Sequence, residues 1–279
     1  MSLKTILVCM TTADHADTLM KMAVPLARRT GAHLIGLHTI EALLVYPGIA
    51  MHVPGSVFAQ FNQNQNKEAA EIQAVFDKWT EAETFVSEWR LVKAEAVSAA
   101  DRMLESARTA DLVIMAAGDP QHDRVDQNNA QSRVIRDCGR PVIIVPLGYD
   151  GPEIGRSVVL GWSDTREAAR AAHDLLLVTD PGAAVSVLRI DAAQSDPLTD
   201  YVGMDLAATY ARQGLNASIV HRDKVGGSIA EAMNAHAFEQ GADLIVTGAF
   251  GHSRAYDFVI GAATQDLLHH ATYPVMFSK

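Results

Sequence analysis

Three glycines near the C-terminus have a spacing that could hold a phosphate group. Gly248 and Gly251 follow the apolar run Asp-Leu-Ile-Val-Thr, and nine residues separate Gly251 from Gly261, which opens a run of helical character. Glycines let backbone N–H groups approach an oxygen-rich group closely, and the free N–H groups of a helix start favour an anion. The hydroxyl of Thr264 would lie in the first turn of that helix. Taken alone, the pattern fits an ordinary turn equally well.

An acidic loop in the first half of the chain contains side chains that could ligate a cation. Asp119, His122, Asp123 and Asp126 carry suitable atoms for a divalent ion, but a solvated loop explains them equally well. We therefore assign no metal ligands. The chain has no GxxxxGK[ST], HExxH or GxSxG motif, so we also assign no catalytic residues.

The elements that must position these residues occur twice, in the same order. The matched apolar runs are 4–10 and 156–162, 31–40 and 182–190, 110–118 and 242–250, and 139–146 and 272–279. Helical patterns are predicted over 15–30, 65–84, 97–109 and 129–138, and again over 164–179, 200–213, 228–239 and 262–271. Apolar strands that alternate with amphipathic helices predict parallel sheets covered on both faces.

A Gly- and Pro-rich segment, 147–155, separates the two copies. We predict one domain over 1–148 and a second over 149–279, each an open, Rossmann-like α/β unit with a five-stranded parallel sheet. Ligands of such sheets bind beyond the carboxyl ends of the strands, where the strand order reverses, and the glycines would lie there. The apolar final strands of the two halves are the expected seam, because exposed edges of that composition invite aggregation.

Segment 41–66 has no equivalent of the same length in the second half. Its apolar residues, with Phe58 and Phe61, predict a lid or a contact surface. An ordinary loop packed against the rim of the sheet is the alternative.

The spacing G-x2-G-x9-G after a D-L-I-V strand resembles the ATP-binding motif of the universal stress protein family. The run "GWSDTREAARAA" at 161–172 also looks like the first strand and helix of that family. The resemblance covers the whole chain, as a tandem pair of domains. It implies a stress-response protein that binds ATP or another adenine nucleotide, with or without Mg²⁺, as a sensor or regulator. Slow ATP hydrolysis could accompany binding, but a fast enzyme is not expected.

The resemblance places the nucleotide in the second half of the chain. The position of the aspartate that the family uses after its first strand is Ser163 here, and Ala262 stands where the family has Ser or Thr after the third glycine. The implied binding residues are Ser163, Thr247, Gly248, Gly251, His252, Ser253, Gly261, Ala262, Ala263 and Thr264.

The corresponding loop of the first half has lost all three glycines. Alignment of the two copies puts Ala116, Asp119 and Asn128 at the glycine positions. The negative charges of Asp119, Asp123 and Asp126 would repel a phosphate unless a cation intervened. We therefore expect a degenerate first site and one nucleotide per chain.

Composition narrows the partners and the compartment. A net charge of −10 without a Lys/Arg stripe disfavours nucleic acid. No run approaches the roughly 18 apolar residues that span a membrane. Two cysteines without CxxC spacing and the lack of a signal-peptide layout favour the cytoplasm. A homodimer is the default assembly, and an unidentified protein partner is expected.

Two other classes of function compete with this interpretation. A scaffold of the same fold could bind no nucleotide and act through protein contacts. An ATP-pyrophosphatase-type enzyme on a related sheet is disfavoured, because neither first strand is followed by an SGGxDS-type loop.

Overall fold

The structure is a computed structural model of the 279-residue chain. It describes residues 2–40, 54–94, 97–123, 127, 129–151, 153–190, 197–223, 227–250 and 261–279. Among the described residues, no helix is both long and apolar enough to cross a membrane.

All ten strands found in the described residues belong to one sheet, in the order β3-β2-β1-β4-β5-β10-β9-β6-β7-β8. Within each half, every neighbouring pair of strands is parallel. The strands are β1 Thr5–Cys9, β2 His33–Ile40, β3 Ser87–Lys93, β4 Leu112–Ala116, β5 Val142–Val145, β6 Ser157–Gly161, β7 Ala184–Ile190, β8 Asn216–Arg222, β9 Leu244–Gly248 and β10 Val275–Ser278.

Eight α-helices of the described residues connect these strands. They are α1 Ala13–Thr30, α2 Gly55–Thr80, α3 Ala99–Ala107, α4 Ala130–Asp137, α5 Arg166–Asp174, α6 Pro197–Arg212, α7 Ile229–Gln240 and α8 Gly261–His270. Buried side chains form two apolar clusters, each of which draws residues from both halves of the chain. A parallel sheet needs such cover on both faces because its strands are apolar throughout.

The two halves join through their final strands, which confirms the predicted seam. β5 and β10 pair in antiparallel orientation, with Ile143 opposite Met276. Both side chains are fully buried. Because this pair is antiparallel while each half is parallel, the strands of the two halves run in opposite directions. The carboxyl ends of the first-half strands therefore lie at one edge of the sheet, and those of the second half at the other.

The same local device fixes the first strand of each half. Asp111, which precedes β4, accepts hydrogen bonds from the backbone N–H groups of Lys4 and Thr5 at 2.9 and 3.0 Å. Asp243, which precedes β9, accepts bonds from the N–H groups of Gly155, Arg156 and Ser157 at 2.8–2.9 Å. These aspartates satisfy donors that would otherwise have no ladder partner at the start of β1 and β6.

The helix after the second strand differs from the prediction. It spans Gly55–Thr80 rather than 65–84, so part of the segment predicted as a lid is helical. Phe58 and Phe61 are half-buried on this helix. Residues 41–53 of the same segment lie outside the described residues.

Candidate functional site

The point where strand order reverses in the second half lies between β6 and β9. These neighbours lead in opposite directions, β6 to β7 and β9 to β10, and Gly161 at the end of β6 is opposite Thr247. A Cβ atom on Gly161 would lie 2.6 Å from Cε of Met233 and 3.4 Å from Oγ1 of Thr247. The Thr247 hydroxyl therefore borders the crevice in which open α/β sheets bind ligands.

Gly248, the next residue, is required by packing. A Cβ atom on Gly248 would lie 2.6 Å from the backbone N of Ala168 and from the backbone carbonyl carbon of Glu167. Both atoms belong to the first turn of α5, so the end of β9 lies directly against the backbone of this helix. The close approach explains a glycine here without a ligand, a reason that the spacing of the glycines does not reveal.

A hydrogen bond ties the start of the glycine loop to the start of α8. The backbone N–H of Phe250 donates to Oγ1 of Thr264 at 3.2 Å, and the Thr264 side chain is buried. Phe250 has a φ of 49°, in the left-handed region that residues other than glycine rarely adopt. This bond brings the end of β9 to the N-terminal turn of α8, where unpaired N–H groups favour an anion.

Ser163 lies at the carboxyl end of β6 and is exposed. Its hydroxyl is 3.3 Å from that of Thr165, which caps α5 by accepting a hydrogen bond from the Ala168 N–H at 3.1 Å. The neighbouring Asp164 accepts a bond from Nη2 of Arg189 at 3.1 Å. Sequence reasoning missed Arg189, because nothing in a strand pattern shows that this residue of β7 reaches the end of β6.

The structure thus brings together Ser163, Thr247, Gly248 and Thr264 at the carboxyl ends of β6 and β9. Ala263 is half-buried in the first turn of α8. Gly261 and Ala262 begin that helix. Gly251, His252 and Ser253 lie outside the described residues, and their assignment stays a prediction.

The first half has a cluster of ionisable side chains at the corresponding edge. Asp119 follows β4 and is buried. Its Oδ2 atom lies 2.9 Å from Nε2 of His15 on α1 and 2.6 Å from Nδ1 of His122. The interpretation of Asp119 as part of a solvated acidic loop is therefore wrong. Sequence reasoning missed His15, which is separated from Asp119 by more than a hundred residues and enters the cluster only because β1 and β4 are neighbours.

The charges of this cluster stabilise one another. The pKa of Asp119 is lowered to about 2 by a hydrogen bond from the backbone N–H of Gln121 and by the bond to His122. The same bond raises the pKa of His122. The pKa of Asp123 is raised instead, mainly because its carboxyl is partly removed from water. Of the two described aspartates of this loop, Asp119 is therefore the one that is held ionised.

Helix α4 connects the two edges of the sheet. At its start, Nε2 of Gln131 donates to the carbonyl oxygen of Ala116 at 3.2 Å, at the end of β4. Near its end, the guanidinium carbon of Arg136 lies 4.7 Å from the ring centroid of Phe250, which precedes the glycine loop of the second half. The helix that begins at the first-half edge thus ends at the second-half edge.

Helix α8 makes the reverse connection. It begins at the glycine loop, and Nε2 of its Gln265 donates to Oγ of Ser132 on α4 at 3.0 Å. The last turn of α8 and the residues beyond it line a cleft of about 820 Å³. Asp119 and Asp123 of the first half also line that cleft.

Comparison with known proteins supports the duplication and the family. The family model described as "Universal stress protein family" matches the chain twice, over residues 2–146 and 147–279. No curated protein is significantly similar in sequence.

Several solved structures share the fold. A universal stress protein from Archaeoglobus fulgidus DSM 4304 aligns with a TM-score of 0.74 and 13% identity over 99% of this chain and 96% of its own. A functionally unknown protein from Pseudomonas aeruginosa PAO1 aligns with a TM-score of 0.57 and 13% identity, over 99% and 92%. The cytoplasmic domain of a prokaryotic cation chloride cotransporter aligns with a TM-score of 0.50 and 10% identity, over 99% and 95%. Such identities show the fold alone, which different functions share. Because the family model matches both halves, this chain belongs to the universal stress protein family, as a tandem of two such domains.

Proposed function

We propose that the chain binds an adenine nucleotide, with ATP as the first candidate, in its second half. The nucleotide would make it a sensor or regulator in the stress response, a role that family membership supports. The observation that carries the proposal is the bond from the Phe250 N–H to Thr264. It joins the end of β9 to the start of α8 at the switch point, which is where a loop with the G-x2-G-x9-G spacing would enclose a phosphate chain.

The proposed contacts follow from the order of these elements. The segment 247–251 passes beneath the ribose and phosphates, and the first turn of α8, 261–264, closes the other side. We assign Ser163 to the adenosine portion, and His252 and Ser253 to the phosphates. Mg²⁺ would accompany the phosphates and offset their charge on a chain whose net charge is −10.

We propose a regulator rather than a fast enzyme. Threonine and serine hydroxyls and backbone N–H groups bind phosphate by donating hydrogen bonds, but they do not supply a general base. Slow hydrolysis of bound ATP is compatible with this arrangement.

We place the boundary between the domains at residues 148 and 149, within the Gly- and Pro-rich segment. The first domain carries no nucleotide, because aspartates occupy its loop. The protein acts in the cytoplasm as a homodimer with a protein partner, and neither nucleic acid nor a membrane is involved. The two cysteines are free and buried, which fits a reducing compartment.

The test is isothermal titration calorimetry with Mg-ATP on the whole chain and two matched variants. Gly251→Val should weaken ATP binding at least tenfold, because a branched side chain blocks the approach of backbone donors to phosphate. Gly118→Val alters the strand-end loop of the first half, where an added Cβ has no atom nearer than 3.8 Å. This control should bind as the parent does, with one ATP per chain.

Each outcome of the titration has a distinct meaning. Two ATP molecules per chain, or loss of binding only in Gly118→Val, would contradict the assignment to the second half. The parent chain could also fail to bind ATP, ADP and AMP while its circular dichroism spectrum shows that it is folded. That result would favour the alternative function, a scaffold that acts through protein contacts.

A further inference from the structure

We propose that His15, Asp119 and His122 form a binding site for a divalent transition-metal ion, with Zn²⁺ as the first candidate. One ligand atom from each residue lies within 4.8 Å of the other two. The site occupies the carboxyl ends of β1 and β4, which is the switch point of the first half. None of its three residues belongs to the proposed nucleotide site of the second half.

The aspartate is oriented before any ion arrives. Its Oδ1 atom accepts a hydrogen bond from the Gln121 N–H at 2.9 Å, and its own N–H donates to Oδ2 of Asp123 at 2.7 Å. These bonds hold the Asp119 carboxylate so that its Oδ2 atom faces both imidazoles. A carboxylate that is fixed in this way loses little conformational freedom when it ligates a metal.

The His122 ring has the arrangement that a metal-bound histidine requires. Its Nδ1 atom faces Asp119, and its other nitrogen, Nε2, lies 3.4 Å from Oδ2 of Asp14. Metal-binding histidines commonly donate the second ring N–H to a carboxylate, which fixes the tautomer and leaves the first nitrogen free to ligate. Asp14 therefore acts on the ligand, without touching the ion.

The ligand chemistry selects the class of ion. Two imidazole nitrogens and one carboxylate oxygen suit Zn²⁺ and its neighbours in the first transition series, whereas Mg²⁺ prefers oxygen ligands alone. Bonds of about 2.0–2.1 Å in a tetrahedron separate ligand atoms by roughly 3.3 Å. The distances of 2.9 and 2.6 Å from Oδ2 of Asp119 to the two imidazole nitrogens would have to widen by less than about 1 Å. The two nitrogens lie within 4.8 Å of each other and would have to approach by at most about 1.5 Å.

The exposure of His122 allows that adjustment, and the cleft beside Asp119 gives the ion a route of entry. The side chain of His122 is 47% exposed, while those of Asp119 and His15 are 9% and 13% exposed. One ligand can thus move toward an ion held by the two less accessible ones. Asp119 also lines the open cleft of about 820 Å³. Three protein ligands leave a fourth position for water or for an oxygen of a bound molecule.

The experiment titrates Zn²⁺ into the chelator-treated whole chain at neutral pH, without nucleotide, by isothermal titration calorimetry. We expect one equivalent to bind, with a dissociation constant of micromolar or tighter. His15→Gln and His122→Gln should each weaken this binding by at least tenfold. Asp14→Asn should weaken it by about tenfold, the low end of the 10–100-fold that removal of an outer partner typically costs, because the Asp14 side chain is 66% exposed.

The matched control is His173→Gln, which removes an exposed histidine on α5 that lines neither the cluster nor the cleft. It should bind Zn²⁺ as the parent does, and Mg²⁺ should not compete. His122 is at the surface, so its variant should fold, and circular dichroism checks this. Co²⁺ in place of Zn²⁺ should give a tetrahedral absorption spectrum that His122→Gln abolishes. Zn²⁺ binding that is absent in the parent, or unchanged in both His15→Gln and His122→Gln, would overturn the proposal.

Discussion

Replacement of Gly248 by alanine separates a packing role from a phosphate-binding role. The new Cβ would lie 2.6 Å from two backbone atoms of α5 and 2.9 Å from Cβ of Glu167. Overpacking of this kind costs about 1–3 kcal/mol, and backbone neighbours favour the upper half of that range because they cannot rotate away. Alanine is better suited to a strand than glycine, which offsets roughly 0.5–1 kcal/mol of that overpacking cost. The free energy of unfolding should therefore fall by about 1–2.5 kcal/mol.

The assay is urea unfolding followed by circular dichroism, with the shift in midpoint measured at an unchanged slope. The control is Gly118→Ala, because the nearest atoms to an added Cβ there are 3.8 Å away. That variant should be as stable as the parent, or more stable by about 0.4–1 kcal/mol through its less flexible unfolded chain. If Gly248→Ala matches Gly118→Ala in stability, the contact with α5 is not what requires a glycine. Loss of ATP binding without loss of stability would then assign Gly248 to the phosphates.

Three further measurements test other parts of the structure. Tyr210→Phe should lower stability by about 1 kcal/mol at pH 7 through the lost bond to a carbonyl of α5. Burial raises the pKa of Tyr210, so the stability that its hydroxyl contributes is present below pH 10 and is lost at higher pH. In urea melts at a series of pH values, the free energy of unfolding should therefore fall less steeply above pH 10 in the variant than in the parent. Burial also raises the pKa of Cys9 and Cys138. A thiol reagent at pH 8 should therefore label both cysteines slowly in the folded chain and rapidly in urea. Fast labelling of the native protein would contradict their burial. The separate halves, 1–148 and 149–279, should co-purify as a one-to-one complex when co-expressed, because each alone exposes an apolar edge strand; two stable, non-associating monomers would argue against the seam.

The repeated apolar runs predicted most of the fold because they are strands buried on both faces. The two edge strands gave no such signal. β3 and β8 carry charged residues such as Glu88, Arg90 and Arg222, and each of their residues is either partly buried or exposed, with none fully buried. A strand that is paired on one side only need not be apolar throughout, so a pattern of buried runs does not reveal either of them. Their existence was implied by the five-strand fold, but their positions were not.

For the candidate sites, features that are local in sequence could be predicted, whereas contacts between distant residues could not. The spacing of Gly248, Gly251 and Gly261 is local in sequence and could be recognised without coordinates. The contacts of Gly248 with α5, of Asp164 with Arg189 and of Asp119 with His15 join distant parts of the chain. Only the strand order brings these residues together. A single sequence does not show which distant side chains that order places next to each other.

The two helices that cross the seam, α4 and α8, give the molecule a means of thermodynamic linkage. Each begins at the site of one half and ends at the site of the other, and α8, with ten residues, is about 15 Å long. A ligand that shifts the first turn of either helix also displaces its last turn, because a short helix moves as a rigid rod. Coupling between two binding sites is reciprocal. A nucleotide that tightens metal binding by a given factor must therefore have its own affinity raised by the metal by the same factor.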